Sequence, residues 1–80
     1  MVRMENIKRD GKYVTFDGYM DGRQDEHFTM KVDLTDSSKT ECSIEKGYYT
    51  QMATLAIFKL VVRSKNSGKE LPSEYTYIWY

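Results

Sequence analysis

What this sequence has little of excludes more than what it has. It holds one cysteine, Cys42, in 80 residues, so no intramolecular disulfide can form and a stapled secreted scaffold is not expected. It holds one histidine, His27, and no second group at metal-ligand spacing, whereas a metal site needs about three or four ligands. The one proline, Pro72, keeps the residues around it out of a central strand. There is no excess of either charge: 12 basic and 12 acidic residues give a formal net charge of zero. The total therefore indicates neither a strongly basic nucleic-acid binder nor an acidic mimic of nucleic acid. No segment approaches the ~20 apolar residues of a membrane span, and Met1–Asp10 lacks the apolar run of a signal peptide. The expectation is a soluble cytoplasmic protein with no membrane partner and no cofactor. No internal repeat or low-complexity segment appears.

Eighty residues allow one globular domain, 1–80, with a small core. A chain of this size buries about 60–65% of the surface its unfolded form exposes. The longest apolar stretch is Tyr48–Val62, interrupted only by Thr50, Gln51, Thr54 and Lys59. As a helix it aligns Tyr49, Met52, Ala53, Ala56, Ile57 and Leu60 in one stripe at a period near 3.6. A second stripe, Tyr48, Leu55, Phe58 and Val62, lies beside it, so the apolar face is wider than a surface helix needs. The rival reading is a buried strand over Leu55–Arg63, which is rich in β-branched and aromatic residues. The length of the apolar run and Gln51-Met52-Ala53 favour the helix. Gly47 then marks its start and Asn66-Ser67-Gly68 its stop.

Before the helix the chain reads as strands. Residues 2–8 alternate only roughly and make a weak first strand. Asp10-Gly11 suits a type I′ hairpin turn. Lys12–Tyr19 follows as a strand with Val14 and Phe16 on one face and Tyr13, Thr15 and Asp17 on the other. Asp21-Gly22 is taken as the next turn, with Gly18 as a bulge or bend. His27–Leu34 alternates strictly, with Phe28, Met30, Val32 and Leu34 inward and Thr29, Lys31 and Asp33 outward, as in a sheet with one wet face. Thr35–Lys39 is a polar loop. Thr40–Glu45 is either a short fourth strand, with Cys42 and Ile44 inward, or a helix start capped by Ser38 and Glu41. After the connector at Pro72, Ser73–Tyr80 reads as an aromatic strand that is central or part of an interface.

The expected fold class is α+β: an antiparallel β-meander of three to four strands, then one helix packed on the sheet, then a C-terminal strand. The open sheet face would carry Tyr13, Thr15, Thr29 and Lys31. Charge is unevenly spread. Asp17, Asp21, Asp25, Glu26, Asp33 and Asp36 outweigh Arg23 and Lys31 early in the chain, and Lys59, Arg63, Lys65 and Lys69 stand together later with no acid among them.

Few residues suggest chemistry. Asp25 and His27 share a strand face and form the one carboxylate–imidazole pair in reach, whereas Glu26 would point away. Cys42 would need a base beside it to act as a nucleophile. Asn66–Glu70 has neither the earlier glycine nor the following Ser or Thr of a phosphate loop. The seven tyrosines and Trp79 carry more weight, because tyrosine supplies stiff contact area with a polar tip. The sequence points first to a small non-enzymatic protein-interaction module that self-associates as a homodimer or binds another protein. Its interface candidates are Tyr75, Tyr77, Trp79, Tyr80, Phe58 and Val62. The alternative is a single-stranded nucleic-acid binder using Tyr13, Lys12, Lys31, Lys59, Arg63, Lys65 and Lys69. A second alternative is a small enzyme, or a modulator of a host factor.

Overall fold

In a computed structural model, which describes residues 1–79, a tight turn joins the first two strands and a longer loop that opens with a second turn joins the next two. Strand β1 (Val2–Asp10) and strand β2 (Tyr13–Met20) pair antiparallel with Asp10 opposite Tyr13. That register makes Gly11 and Lys12 the central turn residues, and only Gly11 has a positive φ, at 62°. Glycine at the first central position is the pattern of a II′ turn, not the I′ turn that Asp10-Gly11 suggests. The second turn does have I′ character. Asp21 and Gly22 have φ of 52° and 73°, and the Arg23 N–H donates to Met20 O at 2.9 Å.

Strand β3 (His27–Asp33) pairs with β2, and β4 (Glu41–Cys42) with β3. Between them, Ser37–Lys39 forms one 3-10 turn whose cap is Asp36, not Ser38: Asp36 Oδ1 accepts the Ser38 N–H at 3.1 Å. The ambiguous stretch Thr40–Glu45 thus contains a short strand, Glu41–Cys42, and no helix start. Helix α1 (Tyr48–Ser67) crosses one face of the sheet, and β5 (Tyr75–Tyr77) returns to pair antiparallel with β1. The order is β4-β3-β2-β1-β5, a meander with one helix and a C-terminal strand. The final strand sits at an edge and not in the centre.

The helix boundaries follow the glycines. The Thr50 hydroxyl accepts the Gly47 N–H at 2.7 Å and donates to Gly47 O at 2.9 Å, which ties down the first turn. Gly68, at φ 71°, ends the helix with its N–H on Ser64 O at 2.9 Å, the left-handed stop that glycine takes without a Cβ penalty. The buried side of α1 is Thr50, Ala53, Ala56, Ile57 and Leu60. These pack on Val2, Met4, Ile7, Val14, Phe16, Phe28, Met30 and Val32 from the sheet.

The weak first strand is in fact the longest, at nine residues. Its alternation looks poor because a β-bulge breaks the phase: pairing slips between Glu5 and Lys8, with Asn6 at φ 54°. The extra residue lets Val2, Met4 and Ile7, spaced two and then three apart, all point inward. The bulge is at Asn6 and not at Gly18. Gly18 is a regular strand residue opposite Phe28, and a Cβ there would stand 2.4 Å from the Phe28 ring.

Asp33 closes the far end of β3. Its side chain is 1% exposed, and Oδ1 accepts from Thr35 N, Thr35 Oγ1 and Asp36 N at 2.9, 2.7 and 3.2 Å. The Thr35 hydroxyl first, then the Thr35 and Asp36 amides and the Lys12 ammonium, hold its carboxyl below the ordinary 3.8. A carboxyl depressed by folding contributes stability that is fully present above its unfolded pKa and is lost as pH falls through the folded value. The expected result is a melting temperature that drops as pH goes below about 4. The same titration of Asp33→Asn should show lower stability near neutrality and a shallower acid loss. An unchanged acid limb in that variant would assign the effect to other carboxyls.

Candidate interaction surfaces

The outer side of α1 is the first surface. At about 3.6 residues per turn, Leu55 and Val62 point directly away from the buried Ala53, Ala56, Ile57 and Leu60. Tyr48, Leu55 and Val62 are 55%, 44% and 58% exposed, and Phe58 is half-buried. The second apolar stripe thus stays outside the core. Phe58 and Val62 line an open groove of about 640 Å³, rimmed by Lys59, Arg63, Asn66 and Ser67. Lys65 is exposed in the last turn, and Lys69 lies exposed just past the helix end.

The aromatic C-terminal segment is placed differently from the helix stripe. Tyr75 and Tyr77 pair with Met4 and Val2 and pack, half-buried, against the domain's own core together with Trp79. Trp79 stands edge-on to Tyr48 and Tyr49, with centroids 5.6 and 5.7 Å away, and 5.9 Å from Tyr77. Lys59 Nζ donates to Tyr77 Oη at 2.9 Å, linking the helix to the edge strand. Tyr75, Tyr77 and Trp79 therefore spend much of their area inside the monomer. Phe58 and Val62 face outward, Ile78 is 53% exposed, and Tyr80 lies outside the described residues. Leu55 and Tyr48, which share the stripe of Phe58 and Val62 in the helical periodicity, are exposed beside them.

The open face of the sheet is the second surface. Tyr13, Thr15, Asp17 and Tyr19 from β2 stand beside His27, Thr29 and Lys31 from β3. Lys31 Nζ and Lys12 Nζ lie 4.3 and 5.2 Å from the Tyr13 ring centroid, within cation–π range. The Arg3 guanidinium sits 4.8 Å from the Tyr19 ring centroid. Its Nε is 2.9 Å from Glu5 Oε2, an ion pair without hydrogen-bond alignment, so Nε and Nη2 are buried without a hydrogen-bond partner. The basic residues thus divide. Lys12, Tyr13 and Lys31 come together on the open face, whereas Lys59, Arg63 and Lys65 ride on the helix that covers the opposite face.

The carboxylate that meets His27 is Asp17, not Asp25. Asp17 Oδ1 is 3.2 Å from His27 Nε2, and Asp17 Oδ2 accepts from Asn6 Nδ2 at 2.8 Å. Those hydrogen bonds, the Asn6 amide first, lower the Asp17 carboxyl pKa. The pairing follows from the register that sets Tyr19 opposite His27, which the loop 21–26 closes with the Met20 N–H on Glu26 O at 3.1 Å. Cys42 pairs with Met30 and packs toward the core, while His27 is on the open face, so the fold does not bring the two together. Burial pushes the Cys42 thiol up, with Lys46 opposing, and a protonated thiol is a poor nucleophile. Among the described residues no group of three or more His, Cys, Asp or Glu side chains is arranged to hold a metal ion, and no helix is long and apolar enough to cross a membrane.

The fold and these surfaces define a small antiparallel α+β domain with one sheet face under a helix and the other open. Compared with known protein families, curated proteins and solved structures, the chain matches none.

Proposed function

We propose that this chain is a small non-enzymatic protein-interaction module that self-associates, with the outer stripe of α1 as its contact surface. One observation carries the reading. After the core is complete, Tyr48, Leu55 and Val62 are still 55%, 44% and 58% exposed on one continuous side of the helix. Isolated apolar residues at a surface are ordinary, but a row of them on one helix side rimmed by Lys59 and Arg63 is the pattern of an interface. Dimerisation covers what a domain of this size cannot bury alone.

Sedimentation of the purified chain tests this directly. The expected result is a dimer that forms with rising concentration, and Leu55→Glu should weaken it at least about tenfold, a change worth ~1.4 kcal/mol. The circular dichroism of that variant should match the parent, because Leu55 makes little of the core. A chain that stays monomeric from about micromolar to millimolar concentration removes the reading.

A further inference from the structure

The inference drawn here rests on that self-association and specifies its geometry. Tyr48, Leu55 and Val62 recur every seven residues, with Phe58 between the last two, which is the spacing of a two-helix seam. The stripe is symmetric about Leu55, since Tyr48 and Val62 stand equally far to either side. The charge around it is not symmetric. Lys59, Arg63, Lys65 and Lys69 surround its C-terminal half, and no acid occurs from 59 to 69. At its N-terminal end stand exposed Glu45 and Asp21, the latter held beside α1 by the Tyr49 hydroxyl at 2.6 Å. Lys46 is the base nearest in sequence there, and it turns toward Cys42, Thr50 and Thr54 on the β4 side. Asp21 is already paired with the Met1 ammonium, 3.0 Å from its Oδ1, and Arg23 lies close enough to act on it as well, so exposed Glu45 carries most of the negative charge offered there.

We propose that α1 pairs with α1 of a second copy in antiparallel orientation, with the two-fold axis passing near Leu55. Tyr48 then meets Val62 of the partner subunit, and Leu55 meets Leu55 of the partner subunit. An isologous contact of this kind repeats each pair twice. The basic half of each helix approaches the end where Glu45 and Asp21 of the partner subunit stand. A parallel pair would instead set Lys59, Arg63 and Lys65 against their own copies, and like charges in register oppose association. Opposed helix dipoles also favour the antiparallel arrangement.

Disulfide trapping in a Cys42→Ser background tests the orientation. Tyr48→Cys and Val62→Cys proteins are mixed in equal amounts at a concentration where sedimentation shows dimer, then oxidised mildly. The expected product is the mixed 48–62 disulfide in excess over either self-disulfide, and Leu55→Cys alone should trap readily. Predominant 48–48 and 62–62 self-disulfides overturn the antiparallel geometry while leaving self-association standing. Sedimenting dimer with no trapping at any of the three positions also overturns it, placing the contact on another surface. A monomer by sedimentation overturns the self-association reading itself. As a second measurement, Lys65→Glu should weaken the dimer severalfold and Glu45→Lys in the same chain should restore part of the loss. No recovery would remove the charge argument for the orientation.

Discussion

Gly18→Ala is expected to destabilise the domain by about 3 kcal/mol, the upper end of the usual overpacking penalty. The glycine lies in the middle of β2, between Met4 on β1 and Phe28 on β3. Its φ is unexceptional, so conformational freedom is not the reason it is there. Space is the reason. A Cβ at this position meets three atoms of the Phe28 ring at 2.4, 2.7 and 2.8 Å. Phe28 is 1% exposed and stands edge-on to Phe16 at 6.5 Å between centroids, so the ring has nowhere to move without disturbing the rest of the core. A total stability of about 4–12 kcal/mol is typical at this length, which makes the loss a large share. Urea unfolding of Gly18→Ala, Phe28→Ala and the double variant checks both size and cause. Phe28→Ala alone should cost about 3–5 kcal/mol. If the ring is what the new methyl strikes, the double variant should fall short of the summed losses by about 1 kcal/mol or more. Strict additivity would refute the account.

Ile57→Ala should cost about 2–5 kcal/mol, whereas Val62→Ala, five positions along the same helix, should change stability by no more than about 0.5 kcal/mol. Both are β-branched residues in one apolar run, and composition alone does not separate them. Ile57 is fully buried at 0% exposure and Val62 is 58% exposed. Truncating Ile57 leaves a cavity between the helix and the sheet that the surrounding strands fill only in part. Truncating Val62 removes a methyl pair from solvent-facing surface. The comparison is made by chemical denaturation at a concentration where the chain is monomeric, so that any effect of Val62 on association does not enter. Equal losses at the two positions would mean that the second stripe is packed inside the monomer after all.

Several elements were legible because their signals are local. His27–Asp33 alternates strictly, and the Asp21-Gly22 turn and the Gly68 helix stop need only the backbone freedom of the residues present. Strand β1 was hard to read because a bulge at Asn6 shifts the inward positions from a spacing of two to a spacing of three. That irregular spacing, next to an asparagine that tolerates a left-handed φ, was the available clue. The Asp17–His27 contact was not legible, because a two-residue turn at Asp21-Gly22 would set Met20 opposite Arg23, whereas the longer loop sets Tyr19 opposite His27. The partners chosen for Asp33, with Thr35 and Asp36 turning back onto it, depend on how the loop closes, and no periodicity encodes that.

The amino-acid sequence on its own determined the α+β class, the strand-rich first half, the helix with its two glycine ends, and the presence of two apolar stripes on that helix. These follow from side-chain period and backbone preference, which act over a few neighbouring residues. Only the tertiary structure decided which stripe the sheet covers, where the bulge in β1 falls, and why Gly18 must lack a side chain. Tyr75, Tyr77 and Trp79 gave a signal of excess aromatic surface, yet pairing with β1 and packing beside Tyr48 and Tyr49 draws much of it into the monomer. Such outcomes depend on contacts between residues far apart in the chain, where steric fit and burial are settled jointly by all the elements that meet there.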